Sequence, residues 1–152
     1  MNDTGINSGY MILQYTTAAL ASENKGLCFP SSADSIPTSL GQEDHVSMGS
    51  IGGRKALQVI GNVEKILAIE LLTAAQAFEF RKPLKSGVFL DEVHNAVREQ
   101  VAFAVKDRIF ADDIEKGIEM IQNKTIIKVV DRVQKEHNIS LKTKFSTEFE
   151  VY

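Results

Sequence analysis

The stretch ALQVIGNVEKILAIELLTAAQAFEF, residues 56–80, decides the fold. Its apolar side chains recur at helical spacing and form two stripes. Leu57, Ile60, Leu67, Leu71, Ala74 and Phe78 make one; Val59, Val63, Ile66, Ala77 and Phe80 make the other. A surface helix of a monomer needs only one such stripe, so this helix calls for cover from several directions. It is not a membrane span, because Glu64, Lys65 and Glu70 interrupt what would have to be about 18 apolar residues. Glu43 and Asp44 suit the positive end of a helix dipole, so the helix is expected to run from there to about Arg81. Gly49, Gly52, Gly53 and Gly61 weaken its first half by roughly 1 kcal/mol each relative to Ala.

Upstream, Met11, Leu13 and Ala18 to Ala21 predict a helix over 9–27, with Asn7 or Ser8 as its cap and Gly26 and Pro30 at its end. Residues 28–41 are rich in Ser, Pro and Gly without a sustained period, which makes a long loop. Phe29, Ile36 and Leu40 suggest that it packs against something. Downstream, after Pro83 and Gly87, residues 88–106 give an amphipathic helix. Asp112 and Asp113 open another through Ile121, and a further helix fits 125–137. The tail 139–152 then alternates apolar and polar residues as a strand does, and such an arm would pair between chains or dock extended. The fold class is therefore all-α, a long-helix bundle with a short extended C-terminal tail. Residues 1–123 form its main helical region, and 124–152 hold a short helix plus the tail.

The chain has 152 residues, 17 Lys plus Arg against 20 Asp plus Glu, and 43% apolar residues, which fits one folded domain of about 100–200 residues. A net charge of −3 gives no basic face for nucleic acid or an anionic membrane. The single cysteine, Cys28, forms no internal disulfide and is read as a small buried residue. With no basic, apolar leader after Met1, a cytoplasmic protein is expected.

Chemistry is sparse. His45, His94 and His137 have no zinc-ligand spacing, no phosphate-loop or nucleophile-elbow pattern occurs, and Gly49-Ser50-Ile51-Gly52-Gly53 lacks the preceding strand of a phosphate cradle. Gln42-Glu43-Asp44-His45 stands out, at a junction of loop and helix. A desolvated carboxylate there would serve as a base; otherwise the segment is an N-terminal cap with acidic first-turn residues.

Residues 7–25 (NSGYMILQYTTAALASENK), 34–39 (DSIPTS), 42–50 (QEDHVSMGS), Arg54 to Leu57 and Leu67 to Leu72 resemble the C-terminal portion of the histidine ammonia-lyases, in the aromatic amino acid ammonia-lyase family. The similarity runs in register over about 5–123. It implies a cytoplasmic, mostly helical homotetramer that eliminates ammonia from L-histidine to give urocanate. The family's electrophile is a methylidene-imidazolone formed from an internal Ala-Ser-Gly, which this sequence does not contain. By the same resemblance, Glu43 matches a glutamate beside the substrate side chain, where it contacts the imidazole or assists proton transfer. Gln42 and His45 support that loop.

Where the family carries Asn before this segment, Gly41 stands here. An acid at position 43, where phenylalanine and tyrosine enzymes carry an amide, leans towards an imidazole substrate. The resemblance thus implies three partners: L-histidine once complemented, an N-terminal half of the same enzyme, and further copies of this chain as a dimer or tetramer. Alone, the chain is expected to be inactive. Its rival is a non-catalytic helical oligomerisation or regulatory module derived from the lyase.

Overall fold

The computed structural model describes residues 5–33 and 35–141. Five helices carry them: α1 (Met11–Leu27), α2 (Gly49–Glu79), α3 (Val88–Gln100), α4 (Ala111–Gln122) and α5 (Thr125–His137). The architecture is all-α; the described residues form no strand, and Thr38 and Glu43 make an isolated antiparallel bridge. Most of the alternating tail, 142–152, lies outside the described residues.

α2 is the spine. Asn62, Ala68, Ile69, Leu72, Ala75 and Gln76 are its buried positions, recurring at the three- and four-residue steps that keep side chains on one face. α1, α3 and α4 pack on it, and α5 packs on α3 and α4. Leu72 and Ala75 meet Val97, Val101 and Met120 in one apolar cluster, while Ile69 joins Leu13, Ala104 and Phe110 in a second. Ala96, Val129 and Val133 form a third where α3 and α5 touch. α4 meets α2 at Gly117, where an added Cβ would lie 3.1 Å from the Cβ of Ala68.

The rest of α2 is open. Leu57, Ile60, Val63 and Leu67 are exposed, so part of the surplus apolar surface expected from the sequence is left uncovered by the described residues. Phe29, Ile36 and Leu40 are exposed as well, so any packing expected of their loop is not supplied by burial among the described residues.

Polar groups tie the elements together. The buried amide of Gln76 donates to Ala104 O at 2.9 Å and accepts from Ala104 N at 3.1 Å. Asn62 Nδ2 donates to Glu23 Oε2 at 2.7 Å and to Asn24 Oδ1 at 2.8 Å, joining α2 to α1. Ser8 N and Gly9 N each donate to the Asp107 carboxylate at 2.8 Å, and Asp107 N donates to Asn7 Oδ1 at 2.9 Å.

Those bonds explain three departures from the expected boundaries. Asn7 and Ser8 do not cap α1, whose cap position is Tyr10 without a side-chain bond; the Asn7 side chain accepts from Asp107 N, and Ser8 N donates to the Asp107 carboxylate. α3 stops at Gln100, not 106. Val101 turns extended, and Ala104 must leave the helix to offer both its N–H and its C=O to Gln76. α2 starts at Gly49, not at Glu43, since the backbone groups of Glu43 and Val46 are bonded to Thr38 and Ser35. Cys28 is exposed, not buried: it ends α1 with its N–H on Asn24 O.

The close contact of Gly117 with Ala68 is the tightest test of this packing. Gly117→Val should cost about 1–3 kcal/mol through overpacking, read as a lower urea midpoint. Gly61→Ala, which meets nothing within 4 Å, should hold or gain up to about 1 kcal/mol from helix propensity. Equal midpoints for Gly117→Val and the parent would show that α2 and α4 do not meet there.

Candidate functional site

The segment between α1 and α2 is held by backbone and hydroxyl bonds, not by apolar packing. Thr38 N donates to Glu43 O at 2.9 Å, and Glu43 N donates to Thr38 O at 3.3 Å. Between them Ser39, Leu40 and Gly41 all take positive φ, at 54°, 59° and 83°. This is costly for Ser and Leu and easy for Gly. Farther in, Val46 N donates to Ser35 Oγ at 2.9 Å, and the Ser35 hydroxyl lies 3.4 Å from Val46 O.

Gln42, Glu43 and His45 thus come together on one limb of a cross-linked loop at the head of α2, all exposed. The Glu43 carboxylate has open access and makes no hydrogen bond or ion pair with the described residues. His45 lines a cavity of about 320 Å³ with Ser31, Ser32, Val46, Met48 and Gly52. Ser31 Oγ is buried and has no hydrogen-bond partner among the described residues. The opposite limb is anchored by Lys55 of α2, whose Nζ donates to Phe29 O at 2.7 Å and sits 5.7 Å from the centre of the Phe29 ring. Chemically, the loop presents one carboxylate able to accept a hydrogen bond or hold a proton.

Sequence reasoning placed Gln42, Glu43 and His45 but missed Ser35 and Lys55. Ser35 lies in the quoted DSIPTS segment, and nothing in its pattern marks a hydroxyl that bonds eleven residues on. Among the described residues no three His, Cys, Asp or Glu side chains converge as a metal site, and no helix is long and apolar enough to cross a membrane.

A second polar cluster joins the end of α2 to α3. Glu79 receives Lys82 Nζ at 2.7 Å and Arg98 Nε at 3.0 Å. His94 Nε2 lies 3.0 Å from Glu79 Oε1 but is not aligned for a hydrogen bond, and its ring stacks tilted on Phe78 at 4.8 Å. His94 and Lys82 also line a wide cleft of about 910 Å³ with Phe78, Leu84, Asp91 and Glu92.

A family model for aromatic amino acid lyase matches residues 1–99. The histidine ammonia-lyase of Idiomarina loihiensis is 50% identical over 130 residues, covering 86% of this chain and 25% of that protein. The crystal structure of histidine ammonia-lyase from Trypanosoma cruzi superposes with a TM-score of 0.83 at 39% identity, over 95% of this chain and 30% of that one. Tyrosine aminomutase from Streptomyces globisporus gives 0.81 at 35%, over 86% and 25%. The chain spans about a quarter of the length of the curated relatives it matches. It belongs to the aromatic amino acid lyase family.

The Glu79 cluster sets an acid limit on this fold. The hydrogen bond from Lys82 leads in holding the Glu79 carboxyl below the usual glutamate range, with Arg98 adding to it against the opposing effect of burial. A carboxyl whose pKa is lower folded than unfolded stabilises the fold above its unfolded pKa, and loses that contribution as pH falls through its folded one. The parent should therefore lose thermal stability on acidification through and below the ordinary glutamate range. Glu79→Gln should show a shallower loss over the same window. Parallel melting curves across that window would remove Glu79 from the acid response.

Proposed function

We propose that these residues form the C-terminal part of a cytoplasmic histidine ammonia-lyase and supply Glu43 to the site where ammonia is eliminated from L-histidine to give urocanate. The reading is carried by one observation. Glu43 stands uncommitted on a loop whose backbone is cross-linked on both limbs, in a chain half identical to a histidine ammonia-lyase. A carboxylate so placed accepts the imidazole N–H of the substrate, or takes its proton, while Gln42 and His45 shape the surrounding loop. The family resemblance that contributes the tyrosine aminomutase spans another reaction, so the substrate preference rests on Glu43 and not on the fold.

The 152 residues contain no Ala-Ser-Gly. They do not fit the methylidene-imidazolone, and by themselves they should eliminate no ammonia. Assembly with a preceding N-terminal half is proposed to restore the reaction. The apolar row Leu57, Ile60 and Leu67, exposed along α2 at the three- and seven-residue spacing of an interhelical seam, is proposed to pack against further copies of the chain.

Co-expression of the chain with the preceding three-quarters of a histidine ammonia-lyase should yield urocanate absorbance that neither piece yields alone. In that assembly Glu43→Gln should lower turnover by about a hundredfold or more, the usual scale of a positioned acid or base. Full turnover in Glu43→Gln would exclude the role given to Glu43, and a folded but silent assembly would favour the non-catalytic module. Sedimentation of the isolated chain at micromolar concentration should give a dimer or tetramer that Leu57→Glu with Leu67→Glu disperses; a monomeric parent would refute the seam.

A further inference from the structure

We propose that Ser35 is a positioning residue for Glu43, holding through the backbone a carboxylate that no other described side chain bonds. The inference rests on the reading of Glu43 given above. Two cross-links join the incoming limb, 35–38, to the outgoing limb, 43–46. The outer one is the Thr38 and Glu43 pair of backbone bonds; the inner one is Ser35 Oγ on the N–H and C=O of Val46.

The outer pair closes a turn with three successive positive φ values, two of them at Ser39 and Leu40, where a side chain opposes that conformation. Such a turn persists only when its surroundings hold it. Leu40 is fully exposed and gives no packing to do so. Ser35 is half-buried, and its hydroxyl, by accepting from one backbone group and donating to the other, substitutes for the second rung of a ladder that no strand provides. The Glu43 carboxylate has no partner of its own among the described residues, so its position follows from the backbone, which these two rungs hold together with two bonds inside the turn, from Gly41 N to Thr38 O and from Gln42 N to Ser39 O, both at 3.1 Å.

Two measurements test this. In the 152-residue chain, Ser35→Ala should speed amide hydrogen exchange about fivefold at Val46, the worth of one hydrogen bond, and by a similar factor at Glu43, with Ser35→Thr restoring both. Faster exchange at Val46 with Glu43 unchanged would overturn the proposal, because the rungs would then be independent. In the co-expressed assembly, Ser35→Ala should lower kcat roughly tenfold to a hundredfold, as a misplaced group does, with KM less affected.

The decisive comparison adds Ser35→Ala to Glu43→Gln. A residue acting through the carboxylate should cause no further loss there, whereas a merely structural residue would lower both backgrounds by the same factor and overturn the proposal. If Glu43→Gln is itself silent, the reading of Glu43 falls and Ser35 with it. If Glu43→Gln is slow while Ser35→Ala runs at full speed, only the positioning role falls.

Discussion

One face of α2 governs the molecule. Ala68, Ile69, Leu72, Ala75 and Gln76 are the positions against which α1, α3 and α4 are laid, and α5 reaches the core through α3 and α4. Where α4 meets α2, the glycine at 117 leaves room for Ala68, whose Cβ would lie 3.1 Å from any added Cβ. The buried amides on the same face do what apolar contacts do not. Gln76 and Asn62 are each satisfied by a specific partner, so they fix where the 101–110 connector and the end of α1 lie along the spine. A shift of one helical turn would leave these amides unpaired in the interior, at a cost of about 1–3 kcal/mol for each group.

Much of this was legible in the sequence because α2 states its period over many turns. Its apolar excess was readable too, and it reappears in the structure as the exposed row Leu57, Ile60 and Leu67. The errors fall where long-range bonds override local preference. Glu43 and Asp44 look like a first helical turn, yet Thr38 and Ser35 hold the backbone on either side of them. Residues 101–106 continue an apolar helical pattern, yet Gln76, twenty-eight residues earlier, claims Ala104. Asn7 and Ser8 resemble caps, yet their partner is Asp107. None of these partners is visible within a helical window. Cys28, expected inside on the general habit of its residue type, is at the surface because α1 ends there.

The candidate site shows the same division. Residue type drew attention to Gln42, Glu43 and His45, and the resemblance gave Glu43 its role, but only geometry reveals that the loop is a two-runged clasp with a strained turn at its tip. A helix at that position would have carried the carboxylate on a rigid rod. A clasp presents it on a short, closed loop whose limbs are joined by hydroxyl and backbone bonds at its base.

The bonds among Asn7, Ser8, Gly9 and Asp107 link residues about a hundred apart in sequence. A chain emerging in order from its N-terminus cannot secure the start of α1 until the connector before α4 has also emerged. Closing so large a ring is an entropic barrier that local helix formation does not lower. The helices can therefore form early, while the tie between residues 7–9 and Asp107 forms only once that connector is present.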